Sequence, residues 1–415
     1  MAAPTASRDR ITRIHVTGFR SLADVTLDLD GLTVLIGDNG SGKSSLIEVF
    51  EVLRHVTMRG GSLLDVRNNH PYLLRQGTDR GELALDIENP TGHRPSLRYV
   101  LTLEGERGDL FVESESLEYS HDGSRKPAFR RSKGVGEFLD SSGKSLGQLP
   151  LDSRLTMLSY FGHLPSPANL PAEQVAVRRA YAVLSSFEVH VPFETMPTWA
   201  SRRMDRKSAM RESNMLQSVT QLDLLATNLA NAFHSLRNDQ EPDHWKETLE
   251  YVRLGLGDDV TDIPASVDAG GGQQAISVRF KSAGTVPSVA LSDGTLSYLA
   301  FVAMLRLPSS RSLLAFDEPE LHLHPGLLVR VLSMFETIAE SCPVVLATHS
   351  DRLLDALQDP AKSVVLCDLD DKRAARLLRP DKAMLTKWLT KYRGLGDIRS
   401  TGLQDAVIPR TKADR

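Results

Sequence analysis

The chain has 415 residues, of which 41% are hydrophobic and 25% charged, and its formal net charge is -4 at pH 7. These values are typical of a globular protein. They exclude a chain that is basic over its whole surface, so any surface that attracts nucleic acid or anionic lipid must be local.

The two cysteines, Cys342 and Cys367, lie in apolar runs. Buried thiols in a reducing compartment are the expected consequence, without a disulfide framework or a metal cluster. The N-terminal MAAPTASRDR is not followed by the apolar stretch of a signal peptide, and no apolar run approaches the length of a membrane span. We therefore predict a cytoplasmic protein without a membrane partner.

The first clear elements are strands. Residues 11–30 alternate between apolar and polar side chains around a GFRS turn, and LTVLI at 32–36 is a continuous apolar run that predicts a buried central strand. The segment GDNGSGKSS follows and leads into SLIEVFEVLRHV, whose apolar residues share one helix face. This order of strand, glycine-rich loop and helix is the context that the phosphate-binding pattern G-x-x-x-x-G-K-[ST] requires.

The glycine-rich loop is predicted to bind the phosphates of ATP. Glycines allow the backbone amides to approach a phosphate closely, and the helix N-terminus adds partial positive charge. The Lys43 side chain would contact the β- and γ-phosphates, and the Ser44 hydroxyl would ligate Mg²⁺. A glycine-rich turn without a ligand is the alternative, which the flanking strand and helix disfavour. The predicted nucleotide-binding residues are Asn39, Gly40, Ser41, Gly42, Lys43, Ser44 and Ser45.

The middle of the chain is less regular. Residues 82–118 predict further strands, the polar and basic stretch that ends at residue 150 predicts an exposed loop, and residues 214–234 and 242–256 predict helices. Two basic clusters could bind DNA phosphates, although a solvated loop face is an equally good interpretation of each. The clusters are Arg125, Lys126, Arg130, Arg131 and Lys133, and Arg202, Arg203, Arg206, Lys207 and Arg211.

Two further apolar runs end in polar residues that could act on a nucleotide. In SLLAFDEPELHLHP, Asp317 would hold Mg²⁺ through water and Glu318 would orient the attacking water; an acidic helix cap before Pro319 is the alternative. In VVLATHSD, His349 would contact the γ-phosphate, and a capping segment is the alternative. The apolar runs predict buried strands that carry these side chains at their ends.

The stretch LSDGT precedes a long apolar helix. A cap explains one Ser or Asp before the helix, but Ser292 and Gly294 together with the helix N-terminus predict a second anion-binding surface. Since the glycine-rich loop already surrounds this chain's own nucleotide, the second surface points to the nucleotide of another copy. Beyond it, residues 363–369 predict a strand, ARLLR its partner and DKAMLTKWLTKY a helix.

The order of glycine loop, LSDGT, apolar-DEPE and ATHS resembles the ABC-type ATPase heads of the SMC, RecF and OLD group. The opening IHVTGFRSLADVTLDLDGLTVLIGDNGSGKSSLIEVF and stretches at 222–238 and 388–398 are similar to a bacterial ATPase family related to OLD. The sequence departs from the usual LSGG at Asp293. The resemblance implies an α/β P-loop NTPase of the ABC head type, with a mixed β-sheet and an inserted helical and β lid or arm.

The resemblance also implies site roles. Two copies would form a homodimer with ATP and Mg²⁺ in composite sites, to which Ser292 and Gly294 contribute in trans. Arg20 would approach the nucleotide and Gln76 would be the glutamine that joins the metal; a surface arginine and an ordinary loop residue are the alternatives. His322 and His324 would lie in a segment that meets the partner. The residues after ATHS are too few for the Toprim nuclease module of OLD proteins.

The predicted organisation is a head built from both ends of the chain: 1–118 and 261–403 form the head, 119–260 the insertion, and 404–415 a tail. The predicted function is ATP hydrolysis coupled to a DNA-related task, such as phage defence or repair with a separately encoded nuclease or effector. The alternative is an ATP-gated regulatory scaffold that sequesters or releases a protein partner without acting on DNA.

Overall fold

A computed structural model describes residues 8–69, 72–161, 170–197, 200, 209–264, 266–267, 272–390, 394–401 and 407. Its strands are β1 Arg10–Phe19, β2 Leu22–Asp28, β3 Leu32–Gly37, β4 Arg80–Glu88, β5 Leu97–Glu106, β6 Asp109–His121, β7 Ser124–Ser132, β8 Val135–Leu139, β9 Ser145–Pro150, β10 Phe187–His190, β11 Asn214–Met215, β12 Val260–Asp262, β13 Ser266–Val267, β14 Gln273–Ala275, β15 Ser277–Phe280, β16 Gly284–Pro287, β17 Leu313–Asp317, β18 Val344–Thr348, β19 Val364–Leu369 and β20 Ala375–Leu378.

The helices lie between groups of these strands along the chain. They are α1 Lys43–Thr57, α2 Leu63–Asn69, α3 Met157–Phe161, α4 Ala172–Ser185, α5 Leu229–Asn238, α6 Pro242–Leu256, α7 Asp293–Arg306, α8 Pro325–Ala339, α9 Asp351–Asp355, α10 Pro360–Ser363, α11 Lys382–Leu389 and α12 Leu395–Ser400. Within these described ranges, none of the helices has the length and apolar character needed to cross a membrane.

A six-stranded sheet in the order β10-β17-β18-β3-β19-β20 carries the predicted site. Its first five strands are parallel and β20 is antiparallel to β19. The apolar runs predicted as buried strands are β3, β17 and β18, and their burial on both sides explains why they read as continuous rather than alternating.

The two faces of this sheet belong to different parts of the core. Leu35, Ala315 and Ala347 pack in the cluster that contains α1. Ile36 and Phe316, one residue along, pack in the cluster that contains α7 and α8. Because neighbouring residues of a strand point to opposite faces, α1 and α7 lie on opposite sides of the sheet.

An antiparallel sheet of eight strands, in the order β2-β1-β4-β5-β6-β7-β8-β9, covers the α1 side. The loop predicted up to residue 150 is wrong, because β7, β8 and β9 extend this sheet. Ala128 and Phe129 of β7 are buried, and Arg130 beside them is exposed. Exposed positions of β7 carry the basic side chains of Arg125 and Arg130. The composition of this stretch therefore favoured a loop and did not reveal the strand.

The helix predicted at 214–234 is also wrong in its extent. Residues 214–215 form β11, and α5 begins only at Leu229, whereas the helix predicted at 242–256 is confirmed as α6. Asp223 explains the late start, since its carboxylate accepts hydrogen bonds from the amides of Leu225 and Thr227 and thereby stabilises a turn. Both cysteines are free and buried, as predicted, and the cytoplasmic location stays a prediction.

Candidate nucleotide site

The register of the parallel strands brings the predicted site residues to one edge of the sheet. Asp317 pairs with Ala347 across β17 and β18, and Thr348 pairs with Ile36 across β18 and β3. The glycine loop, Asp317 and His349 therefore all follow the carboxyl ends of neighbouring strands. This edge is where parallel α/β sheets place their ligand sites.

The glycine loop connects β3 to α1 without a side-chain cap. Gly42 holds the N-cap position with φ of 101°, a left-handed conformation that favours glycine, and the first turn of α1 contains no acidic residue. The amides at this end of α1 are therefore free of a competing carboxylate. Lys43 is buried, and its Nζ donates to the carbonyls of Gly37 at 2.9 Å and Asp38 at 3.0 Å. Burial lowers the pKa of the Lys43 ammonium group.

Asp317 lies next to Ser44, with a hydrogen bond between their side chains. Burial raises the pKa of Asp317, and the bond from Ser44 opposes that rise. The other oxygen, Oδ1, is buried and has no hydrogen-bond partner among the described residues. A hydroxyl and a half-satisfied carboxylate are hard oxygen ligands, so this pair fits Mg²⁺.

Glu318 follows Asp317 in a left-handed backbone conformation, with φ of 51°. Such a conformation is unfavourable for a residue other than glycine and is often retained at functional sites. The Glu318 amide donates to the Ala347 carbonyl at 2.7 Å, which anchors the turn to β18. The carboxylate lies 3.9 Å from Nε2 of His349, and both side chains are about one-third exposed. Glu318, which is predicted to orient the water, and His349, which is predicted to contact the γ-phosphate, therefore lie side by side and partly exposed.

Sequence reasoning missed Glu320, the second glutamate of DEPE. Its Oε1 accepts from the Thr348 hydroxyl at 2.7 Å and from the His349 amide at 2.9 Å. Glu320 therefore fixes the backbone of His349 relative to the loop that carries Glu318. The pattern of a strand end followed by two acids offered no sign of this contact, which depends on β17 and β18 being neighbours.

The GFRS turn approaches the glycine loop, as the resemblance implied. A Cβ at Gly42 would lie 2.9 Å from the Ser21 hydroxyl. Arg20 itself donates to Glu48 of α1 at 2.6 Å, so it is held beside the nucleotide helix. Gln76 is exposed in a turn whose Arg75 donates to the Arg20 carbonyl at 3.0 Å. The nucleotide contact of Arg20 and the metal contact of Gln76 stay predictions.

Ser292 is exposed at the N-terminus of α7, and its hydroxyl accepts from the Thr295 amide at 3.2 Å. The alternative role of LSDGT as a helix cap is therefore confirmed for Ser292. The helices α7 and α1 pack on opposite faces of the sheet. Ser292, at the N-terminus of α7, therefore does not lie on the face that α1 covers. A Cβ at Gly294 would lie 2.8 Å from the His322 carbonyl, so this position packs against the segment after the DEPE loop.

Arg211 was predicted as part of a DNA-binding cluster, and the structure contradicts that role. It is buried, donates to the carbonyls of Ser288 and Leu291 at 2.8 and 2.6 Å, and pairs with Asp293. The arginine therefore holds the LSDGT segment in place. It also gives Asp293, the departure from LSGG, a structural partner. The other members of that cluster, Arg202, Arg203, Arg206 and Lys207, lie outside the described residues.

The first basic cluster does not form a continuous basic face. Arg131 is buried and donates to the Asp152 carbonyl at 2.8 Å. Arg125 lies 3.6 Å from Asp86, and Arg130 pairs with Glu137. Neighbouring carboxylates on adjacent strands, which sequence spacing could not reveal, reduce the local positive charge. Lys126 and Lys133 belong to the same hairpin.

The histidines after DEPE do not belong to a metal cluster in the part of the chain that the structure describes, where no group of three or more His, Cys, Asp or Glu side chains could hold a metal ion. His324 caps α8 by accepting from the Gly326 amide at 3.2 Å, and His322 has a left-handed backbone with φ of 66°. Their predicted contact with a partner stays a prediction.

Comparison with known proteins identifies the family to which the chain is similar. The profile of a family described as "AAA domain, putative AbiEii toxin, Type IV TA system" matches residues 32–355. The chain is 23% identical over 399 residues to the OLD nuclease of Thermus scotoductus, with 92% of this chain and 67% of that protein covered. It is 37% identical over 87 residues to the DNA replication and repair protein RecF of Anaeromyxobacter sp., with 20% and 22% covered.

Among solved structures, the SmcHead bound to the C-winged helix domain of ScpA matches with a TM-score of 0.53 and 13% identity, covering 90% of this chain and 99% of that one. At this identity the likeness concerns the fold alone. The predicted fold class, an α/β P-loop NTPase head of the ABC type with a mixed β-sheet, is thereby confirmed.

Proposed function

The chain belongs to the AAA-domain family whose profile matches residues 32–355 and is an ATPase of the SMC, RecF and OLD type, and from this premise we propose that it binds and hydrolyses ATP between two copies. One observation carries the proposal. The N-terminus of α1 brings together Lys43, Ser44 and Asp317, and one Asp317 oxygen there has no hydrogen-bond donor among the described residues. A buried acceptor beside a hydroxyl and an ammonium group is suited to a phosphate and its metal ion.

Each side chain then has a defined task. When ATP binds, Lys43 gives up its hydrogen bonds to the carbonyls of Gly37 and Asp38 and donates to the phosphates instead. Ser44 and Asp317 would hold Mg²⁺, which when bound neutralises charge on the phosphate oxygens. Glu318 accepts a hydrogen bond from the attacking water and takes its proton. His349 donates to the γ-phosphate from the same opening.

The second copy completes the site. Ser292 and Gly294 lie on the α7 face of their own sheet, so they are available to another copy's nucleotide. The exposed Ser292 hydroxyl and the helix N-terminus supply donors to a phosphate. ATP is thereby held by two protomers, and hydrolysis releases them.

A DNA-related task is the best-supported use of this cycle, in phage defence or repair with a separately encoded nuclease or effector. The support comes from the relatives, an OLD nuclease and a DNA replication and repair protein. ATPase rates with and without duplex DNA at two salt concentrations test it, since phosphate contacts weaken as salt rises. Stimulation that disappears at high salt supports the DNA task. Rates indifferent to DNA contradict it and favour the regulatory scaffold.

The Glu318→Gln variant tests the role of this carboxylate. We expect hydrolysis to fall by about 100-fold or more while ATP binding is kept, because only the activation of water is removed. Light scattering with ATP should then give the mass of a dimer. Lys43→Ala is the control that should neither bind ATP nor dimerise. Normal turnover by Glu318→Gln, or a strictly monomeric ATP-loaded sample, contradicts the proposal.

A mixing experiment tests the composite site. Lys43→Ala and Ser292→Arg should each be inactive alone. In their mixed dimer, one of the two sites combines an intact glycine loop with an intact Ser292, so activity should return, up to about half of the wild-type rate when every dimer is mixed. No recovery, although mixed dimers form, would show that Ser292 acts within its own chain or not at all.

A further inference from the structure

The C-terminal helix α12 contacts the nucleotide edge through Arg399, a residue that the motifs did not single out. Its guanidinium donates to Asp351 Oδ1 at 2.6 Å and lies 4.0 Å from Oδ1 of Asp38 in the glycine loop. The side chain of Arg399 is 19% exposed, whereas that of Asp38 is 95% exposed. One cation therefore bridges the first residue after β3 and the helix that follows His349.

Helix α12 is seated closely on α9. A Cβ at Gly396 would overlap the Asp351 carbonyl, and one at Gly394 would overlap the Asp355 carboxylate. The same Asp355 carboxylate accepts from the Asp397 amide at 3.1 Å. These contacts fix the position of Arg399 relative to α9, and α9 begins two residues after His349. The guanidinium therefore lies on the side where the γ-phosphate is expected.

The charges around Arg399 require a cation at this place. Asp38 follows β3 in the glycine loop and Asp351 begins α9 after His349, so both carboxylates lie at the edge of the proposed nucleotide site, where like charges oppose the binding of a triphosphate.

We propose that Arg399 is a nucleotide-binding residue that favours ATP over ADP: its guanidinium neutralises Asp38 and Asp351 and donates to the γ-phosphate end of the bound triphosphate. This inference rests on the proposed function of the same site. Because Arg399 lies on α12, the presence of the γ-phosphate is communicated to the C-terminal segment. ADP lacks that group and leaves the arginine on Asp351.

Titration with fluorescent ATP and ADP analogues tests the inference in the full chain. Arg399→Gln should weaken ATP binding about tenfold, corresponding to about 1.4 kcal/mol, and ADP binding by less than about threefold. Arg399→Lys should recover part of the ATP affinity because the charge is kept. Arg352→Gln, which removes an exposed arginine of α9, is the matched control and should bind both nucleotides as the wild type does. Equal losses for ATP and ADP, or no loss, would overturn the assignment.

The Asp38→Asn change provides a second, independent measurement, since an almost fully exposed side chain is not needed for folding. If Arg399 shields the phosphates from Asp38, Asp38→Asn should raise ATP affinity more in the Arg399→Gln background than in the wild type. Equal gains in both backgrounds would overturn the shielding. Failure of the wild type to bind ATP would instead refute the proposed function, whereas normal wild-type binding with an unaffected Arg399→Gln refutes this inference alone.

Discussion

Two carboxylates in the two sheets of this protein, buried Glu115 and half-buried Asp317, show how a structural acid differs from a ligand-binding acid. Burial raises the pKa of both Glu115 in β6 and Asp317 in β17. Glu115 receives hydrogen bonds from the Tyr99 hydroxyl at 3.0 Å and from the amides of Met157 and Leu158 at 2.6 and 3.3 Å. Asp317 keeps one oxygen without a donor among the described residues.

The difference lies in what each acid completes. Glu115 caps the start of α3 and lies near buried Arg131, so the eight-stranded sheet satisfies it internally. The six-stranded sheet leaves Asp317 for a group that is not part of the chain. Asp317 therefore differs from Glu115 in its unpaired oxygen and its place beside Ser44, and not in burial-raised pKa, which the two acids share.

The largest expected effect is the loss of stability when Glu115, the structural acid of the pair, is removed. Glu115→Ala should lower the free energy of unfolding by about 3 kcal/mol, because two amides, a hydroxyl and a buried guanidinium lose their partner. Denaturant unfolding measures the change. Glu115→Gln, which keeps an acceptor, should cost much less. A loss of ATP affinity in the folded Glu115→Ala protein, without a stability change, would reverse the comparison.

Asp317→Asn should have the opposite signature. Hydrolysis should fall by about 100-fold, because the metal ligand is lost. The nucleotide-free protein should become more stable at neutral pH, since ionising an acid whose folded pKa is raised opposes folding. This gain should appear as pH rises through the unfolded pKa of aspartate and vanish below it. Thermal melts across that range measure it, and a neutral-pH loss of stability would contradict the ligand role.

Glu320 should show an intermediate effect, because it positions His349 rather than contacting a ligand. We expect Glu320→Ala to lower kcat about tenfold with little change in the KM for ATP. Glu320→Gln can still accept from Thr348 and from the His349 amide, and should retain most activity. Steady-state kinetics distinguish the two variants. An equal defect in both would mean that the charge, and not the hydrogen bonds, matters.

The smallest change concerns Ser292 as a helix cap. Ser292→Ala removes the acceptor for the Thr295 amide and should lower stability by about 1 kcal/mol. Ser292→Asp keeps a cap but adds a negative charge, so it should retain stability while opposing a phosphate. Unfolding curves together with ATP-dependent dimer mass separate the two functions. If Ser292→Asp dimerises like the wild type, the exposed hydroxyl is only a cap.

Much of the nucleotide edge was predictable from local patterns. The glycine loop requires particular residue types in a fixed order, and a buried strand before it and a helix after it are visible in about 20 residues. Asp317 and His349 follow apolar runs, so their place at strand ends could also be predicted. The insertion was harder, because basic side chains on β7 conceal a strand whose buried apolar residues are Ala128 and Phe129.

The sequence by itself determined the fold class, the glycine loop and the strand ends, because each depends on residues close together in the chain. Only the tertiary structure decided that Glu320 holds His349, that Arg211 supports the LSDGT segment, and that Arg399 reaches Asp38. These contacts join residues 29 to 361 positions apart. Their physical cause is strand order and helix packing, which bring distant charges together and which no local pattern encodes.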